Sequence, residues 1–186
     1  MKTRNEALRA ELREMFRVDQ ELRNKWLEER DAQELGAQVR EVDQKNTTRM
    51  QEIINTHGWP GKTLVGEDGA NAAWLLVQHA DEDRPFQKRC LALMAAAGPE
   101  EVSQSNLAYL VDRVRVGEGQ PQVYGTQFWT DENGRFGPQP IENEALVDER
   151  RASVGLGRLA EYKKTMMDIY QKDQPKRDPL AEQGQE

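Results

Sequence analysis

Apolar residues in the first third of the chain recur mostly at three- and four-residue steps, the spacing of one face of an α-helix. This pattern predicts a long first helix over residues 3–35, which Gly36 interrupts. It predicts a second helix over residues 43–57, with Asp43 as its N-cap and with Gly58 and Pro60 ending it. The apolar positions of the first helix are Leu8, Leu12, Met15, Phe16, Leu22 and Trp26.

The run of residues 72–77 is apolar on all sides, which is typical of a buried helix. It predicts a compact central helix over residues 70–79, after a loop over residues 61–69. Asn133-Gly134 follows a strand-like segment and is typical of a type I′ hairpin turn. The other predicted elements are a helix capped by Asp83 and ended by Gly98, a helix from Ser103 to Val116, a strand over residues 122–130, and helices over residues 143–153 and 157–171.

Together these elements predict a mainly α fold, a helical bundle of six to seven helices with one small β-hairpin. At 186 residues, we expect a single helical domain over residues 1–172. Its motif-bearing core covers residues 43–130, and its C-terminal helices cover residues 143–171. The Lys-, Asp-, Gln- and Pro-rich residues 173–186 are expected to form a disordered tail.

The composition narrows the function classes. Charged residues make up 32% of the chain and the net charge is -7, which disfavours nucleic-acid binding because that normally requires a basic face. No apolar run reaches the roughly 20 residues of a membrane helix, and the charged N-terminus does not read as a signal segment. A single cysteine, Cys90, excludes an internal disulfide. We expect a cytoplasmic protein that binds neither nucleic acid nor membrane.

His79 is the first candidate for chemistry. An imidazole titrates near neutral pH and can transfer protons, and Asp81 is close enough in sequence to orient it. Alternatively, His79 only satisfies the last carbonyl groups of its helix. A metal at His79 with Asp81 or Asp112 is possible but disfavoured, because His-x-x-x-His and Glu-x-x-His spacings do not occur. We therefore expect no cofactor.

Other polar groups interrupt the helical pattern. Asp19 and Arg23 are one turn apart on the apolar seam of the first helix. Because an unpaired buried carboxylate would cost several kcal/mol, Asp19 is either a buried structural bridge to Arg23 or part of a pocket. Asp112 and Arg113 are adjacent and point about 100° apart, either as a base beside an anion-binding group or as two ordinary salt bridges. In the predicted strand, alternation puts Gln122, Tyr124 and Thr126 on one face and Gln127 on the other.

These motifs resemble a bacterial domain-of-unknown-function family. The similarity covers residues 15–129, is weaker as far as residue 162, and departs at Gly157, where a proline is expected. The family implies small soluble proteins with no established activity, and it implies that Asp19, His79, Asp112 and Gln127 share one pocket. The motifs are Asp19-Gln20…Arg23, Gly58-Trp59-Pro60, Gln78-His79-Ala80-Asp81, Ala108-Tyr109-Leu110-Val111-Asp112-Arg113 and Gln122…Tyr124-Gly125-Thr126-Gln127.

Two functional hypotheses follow. The first is an enzyme of the hydrolase, lyase or isomerase type that acts on a small polar metabolite, with His79, Asp112 and Asp19 as catalytic residues. The alternative is a non-catalytic ligand-binding or protein-interaction module, acting through the pocket or through the N-terminal helix, which could also form a homodimer. The predicted substrate-binding residues are Arg23, Gln20, Gln78, Arg113, Gln122, Tyr124, Gln127 and Trp59.

Overall fold

The structure is a computed structural model that describes residues 4–29 and 33–172. Within these residues it contains seven α-helices, one short 3₁₀ helix and one two-stranded antiparallel sheet, which confirms the predicted mainly α fold with one small hairpin. The elements are α1 (Glu6–Glu28), α2 (Gln33–His57), α3 (Lys62–Gln78), α4 (Arg84–Ala97), α5 (Gln104–Gly117), β1 (Phe128–Thr130), β2 (Phe136–Pro138), the 3₁₀ helix (Glu144–Leu146), α6 (Val147–Ser153) and α7 (Leu159–Lys172).

The first two helices divide the chain differently from the sequence prediction. Helix α1 ends at Glu28, and α2 begins at Gln33 rather than at Asp43. The predicted first helix was therefore too long, and the N-cap assignment of Asp43 was wrong because Asp43 lies inside α2. The residues near the junction are mostly good helix formers, so their propensities do not mark where the chain turns. Residues 1–3, predicted as the start of the domain, and residues 173–186, predicted as a disordered tail, lie outside the described residues.

Helix α3 is the central element, but it starts at Lys62 instead of Ala70. Gly66 lies inside it with φ 76° and ψ 171°, a backbone conformation that glycine adopts most easily, and the helix kinks there. Helix α3 contacts α1, α2, α4 and α5. The hydrophobic core packs around α3 and includes Leu12, Met50, Ile53, Val65, Ala73, Leu76, Val77, Cys90, Met94 and Leu110.

The hairpin forms with a different turn and shorter strands than expected. Asn143 is the only non-glycine residue with a positive φ among the described residues, so Asn133 does not adopt the φ that a type I′ turn requires. Instead, the Asp131 carboxylate accepts hydrogen bonds from the amides of Asn133 and Arg135, at 2.9 and 2.8 Å. Residues 122–127 are not a strand; Gln122 forms only an isolated bridge with Ile141.

Candidate functional site

The centre of the site is a contact between His79 and Asp19. His79 is the C-cap of α3, and its Nδ1 lies 2.9 Å from Oδ1 of Asp19 on α1. Asp19 is only 2% exposed. An ionised carboxylate can accept but not donate, so Nδ1 carries a ring proton, and in the neutral form of the imidazole Nε2 is the nitrogen with the free lone pair. Two of the three residues predicted as catalytic are thus in direct contact.

An arginine and a second carboxylate complete this centre. Nε of Arg23 lies 3.3 Å from Oδ1 of Asp19, and its Nη2 lies 2.5 Å from Oδ1 of Asp43. Nε2 of Gln20 donates to Oδ2 of Asp19 at 2.8 Å. The guanidinium therefore lies between the two carboxylates and holds α1 against α2. Sequence reasoning missed Asp43, because only the docking of two distant helices brings it to Arg23.

The two carboxyl groups have pKa values shifted in opposite directions. Burial alone would raise the pKa of Asp19, but the hydrogen bond from His79 and the nearby positive charges outweigh it, and the pKa lies below its ordinary value. Burial raises the pKa of Asp43 above its ordinary value, and Arg23 only partly opposes this. Asp19 is therefore ionised at neutral pH and can orient the imidazole.

A cleft of about 500 Å³ opens in front of His79, within the usual size range of small-molecule sites. The side chains of His79 and Asp43 are 15% and 21% exposed, whereas that of Asp19 is 1% exposed, so His79 and Asp43 face the cleft and Asp19 lies behind them. The lining residues are Arg23 and Trp26 from α1, Gly36, Val39, Arg40, Asp43, Gln44, Thr47, Thr48 and Gln51 from α2, and residues 79–83 from the turn after α3.

One ligand atom each from Asp19, Asp43 and His79 lie within 4.8 Å of one another. Carboxylate and imidazole are ligand types that iron, manganese and zinc accept. However, the guanidinium of Arg23 already lies between the two carboxylates and supplies the positive charge there. This grouping also differs from the pairing of His79 with Asp81 or Asp112, the metal site that the sequence made possible but disfavoured.

The turn that carries His79 is fixed by α4 and α5. Arg113 on α5 binds both oxygens of Asp81, at 2.9 and 2.5 Å. Gln87 on α4 is fully buried, and its Nε2 donates to the carbonyl groups of Val77 and Gln78 and to Asp81. Burial alone would raise the pKa of Asp81, but Arg113 lowers it below its ordinary value. Gln87, an amide on the apolar face of α4, is a positioning residue that the site prediction omitted.

Asp112 forms a separate centre. It is fully buried, and its carboxylate accepts from the amides of Val123, Tyr124 and Thr126 at 2.6, 3.0 and 3.0 Å, and from Oγ1 of Thr126 at 2.9 Å. Gln122 closes the same loop, since its Nε2 donates to the carbonyl of Gln127 and its Oε1 accepts from the Gln127 amide. Residues 122–127 therefore wrap around Asp112 instead of presenting the two faces of a strand.

A chain of hydrogen bonds links the turn that carries His79 to the Asp112 centre. From Asp81 it passes to Arg113, whose Nη1 lies 3.4 Å from Oε1 of Gln127. Nε2 of Gln127 donates to Oγ1 of Thr126 at 3.0 Å, and Thr126 binds Asp112. The predicted residues therefore do not share one pocket: Asp19, Arg23 and His79 meet at the cleft, whereas Asp112 and Gln127 belong to the separate loop of residues 122–127.

The structure places the other predicted substrate-binding residues outside the lining of the cleft. Gln78 is buried, and its amide is satisfied when the oxygen accepts from the amide of Leu110 and from Nε1 of Trp74. Trp59 packs against the core. The Tyr124 carbonyl accepts from Nη1 of Arg151 at 2.7 Å.

Sequence reasoning missed Arg151 as a structural residue. It is 2% exposed, its guanidinium lies 5.0 Å from the ring centroid of Tyr162, and burial lowers its pKa. Its contacts fasten α6 to the loop and to α7. An arginine in a charged helical segment gives no local signal that it will be buried.

Comparison with known proteins places this architecture in a family. The model of a family of unknown function, DUF6624, matches residues 6–174, most of the 186-residue chain. The chain belongs to the DUF6624 family. This confirms the predicted membership of a domain family of unknown function. No curated protein and no solved structure matches this DUF6624 chain. In the part that the structure describes, no DUF6624 helix is both long and apolar enough to cross a bilayer.

Proposed function

We propose that the protein is a cytoplasmic enzyme that performs acid/base chemistry on a small polar molecule bound in the cleft. His79 is the proton-transferring residue. The observation that carries this proposal is the 2.9 Å contact between Nδ1 of His79 and the buried Asp19 at the edge of the cleft. A buried carboxylate on Nδ1 selects the tautomer in which Nε2 is the free base.

Each residue of the centre then has a defined part in proton transfer. Nε2 of neutral His79 accepts a proton from the bound molecule or from a water molecule beside it, and later returns it. Asp19 orients the imidazole and stabilises the imidazolium that forms. Arg23 keeps Asp19 and Asp43 in place and limits the negative charge of the centre. A positioned base of this kind contributes about 10²–10⁴-fold to a rate.

The reaction class that fits these residues is hydrolysis, elimination or isomerisation. All three can proceed through proton transfer by a single imidazole. The role of Asp112 differs from the sequence hypothesis: its oxygens bind the loop of residues 122–127, so we assign it to the framework that supports the cleft and not to proton transfer.

The test uses the two histidines of the chain, His57 and His79. His57 is the exposed last residue of α2, so His57→Gln is a matched control for His79→Gln. Nitrogen-15 NMR of the imidazoles should show His79 protonated at Nδ1 when neutral. In a turnover screen of polar metabolites, we expect conversion by wild type and by His57→Gln, and a loss of about 10²–10⁴-fold in His79→Gln.

Two results would contradict the acid/base role. One is a neutral His79 protonated at Nε2, because that ring could not accept a proton from the cleft side. The other is a folded His79→Gln variant that converts the same metabolite as fast as wild type. Far-ultraviolet circular dichroism of both variants establishes that they are folded.

A protein-interaction role is the second candidate, and an observation on α1 favours it. Phe16 is 37% exposed, a large apolar side chain left on the surface of the helix. A second copy of the chain could bury it in a homodimer. Light scattering tests this homodimer. If it forms through α1, the Phe16→Ser variant should dissociate into monomers, and a monomeric wild type would exclude the homodimer.

A further inference from the structure

The cleft has two distinguishable ends. His79 in the turn after α3 lies opposite Asp43 on α2, whereas Asp83 in the same turn accepts a 2.7 Å hydrogen bond from Nε2 of Gln51. The turn therefore runs along α2, and Arg40 lies one helical turn beyond Asp43 on the side away from Gln51. From Arg40 to Gln51 the helix rises about 16 Å, at about 1.5 Å per residue.

Most charged groups of the cleft are already paired. Arg23 binds Asp43, and Asp81 binds Arg113. Asp83 caps α4 by accepting from the amide of Phe86 at 3.0 Å. The charges of the first two pairs are therefore neutralised inside the protein. Asp83 makes no ion pair within the described residues, but both of its carboxylate oxygens already accept hydrogen bonds, from Phe86 and Gln51.

Two charged groups of the lining remain available. Within residues 4–29 and 33–172, neither Arg40 nor Glu82 makes a side-chain hydrogen bond or an ion pair, and both are exposed. Arg40 lies at one end of the cleft, one helical turn from Gly36, on which the indole of Trp26 packs. Glu82 precedes Asp83 and so lies toward the other end. The cleft thus offers a spare positive charge at one end, a spare negative charge at the other, and His79 between them.

We propose that the cleft binds a short zwitterionic molecule of about tripeptide size, with its carboxylate at Arg40 and its amino group at Glu82. This deepens the proposed function and rests on it, because the middle of the molecule would face His79. An extended tripeptide spans about 10 Å, and the long side chains of Arg40 and Glu82 reach inward over the remaining distance. A ligand with one charge would leave one end without a counterpart, so the arrangement also discriminates against it.

The test compares three probes with one skeleton: triglycine, N-acetyl-triglycine and triglycine amide. Binding to the full chain is followed by isothermal calorimetry and by the NMR shift of the His79 ring. We expect saturable binding of triglycine and about fivefold weaker binding of each blocked derivative, the loss expected for one exposed ion pair.

Substitutions assign each end of the cleft. Arg40→Gln should abolish the difference between triglycine and its amide, and Glu82→Gln should abolish the difference between triglycine and its N-acetyl derivative. Arg89→Gln and Glu132→Gln, which change exposed charges outside the cleft, should keep both differences. The substrate class is overturned if triglycine does not bind saturably, if all three probes bind equally, or if Arg40→Gln and Glu82→Gln leave both differences intact.

Failure of this inference and failure of the proposed function give different results. If the probes do not discriminate but neutral His79 is protonated at Nδ1 and is required for turnover, only the substrate class is wrong. If triglycine binds selectively but His79→Gln keeps full turnover, only the proton-transfer role is wrong.

Discussion

Replacing Asp112 with Asn tests whether this residue is part of the framework. The substitution keeps the shape of the side chain but exchanges one carboxylate oxygen for an NH₂ group, which cannot accept. If Oδ1 is exchanged, the amide of Val123 loses its acceptor and the amide of Tyr124 keeps only its 3.2 Å contact with Oδ2. If Oδ2 is exchanged, the amide and hydroxyl of Thr126 lose their acceptor. Either orientation leaves at least one buried donor unsatisfied.

The magnitude follows from these contacts. A hydrogen bond to a charged group contributes about 1.5–3 kcal/mol, and an unsatisfied buried donor adds a desolvation cost of similar size. The Asn side chain can adopt the orientation in which its NH₂ group donates to the hydroxyl of Thr126. The remaining loss is then one backbone hydrogen bond together with the desolvation of one buried donor. We therefore expect Asp112→Asn to lower the free energy of unfolding by about 3–5 kcal/mol, a large share of the roughly 5–15 kcal/mol typical of a domain.

Urea denaturation followed by tryptophan fluorescence measures this loss. The matched control is Asp131→Asn, because Asp131 also accepts from two backbone amides but does so at the exposed hairpin turn. Water can replace those hydrogen bonds, so the control should lose about 1 kcal/mol or less. Equal small losses in both variants would refute the framework role of Asp112 and would return it to the candidates for catalysis.

Three further substitutions or treatments have defined outcomes. The folded-state pKa of Asp19 is lowered from its ordinary 3.8, so its stabilisation is present above the unfolded pKa and disappears as pH falls through the folded one. Asp19→Asn should therefore cost about 3 kcal/mol near pH 7, and this cost should shrink as the pH is lowered below 3.8; a gap in urea midpoint that does not narrow would contradict this. Gly125 has φ 70°, and an added Cβ would lie 2.8 Å from Cδ1 of Leu159, so Gly125→Ala should lower the free energy of unfolding by about 2–5 kcal/mol. The control Gly155→Ala has φ 78° and open space around the new Cβ, so it should lower the free energy of unfolding by only about 1–2 kcal/mol. Equal falls in melting temperature would show that the clash with Leu159 contributes nothing. Burial raises the pKa of the Cys90 thiol to about 12, so a thiol reagent near pH 8 should label it only at the rate of unfolding; immediate labelling in native buffer would show that the thiol is accessible.

Features encoded by neighbouring residues were predictable from the sequence. Asp83 and Ser103 were predicted as N-caps, and both cap their helices in the structure, because a cap needs only its own side chain and the next helical turn. The position of His79 at the end of a buried helix followed from the apolar run before it. The hairpin followed from the turn residues near Asn133.

Features that depend on distant contacts were not predictable. The strand-like segment 122–127 became a loop because the carboxylate of Asp112 supplies the acceptors that a partner strand would otherwise provide. The partner of His79 was expected to be Asp81, two residues away, but Asp19 takes that place. The local sequence around His79 does not show whether Asp19 or Asp81 is its partner, because the packing of α1 on α3 decides between them.

The separation in sequence between contacting groups bears on the order in which the molecule assembles. Asp112 meets its loop 11 to 14 residues later in the chain, whereas Asp19 and His79 are 60 residues apart. Closing the longer segment costs about 1.4 kcal/mol more in chain entropy, and it also requires α1 to be docked on α3. A partly folded chain can therefore hold the Asp112 loop while the imidazole still rotates freely. The orientation of His79 is thus a property of the docked pair of helices α1 and α3 and not of the local sequence around the imidazole.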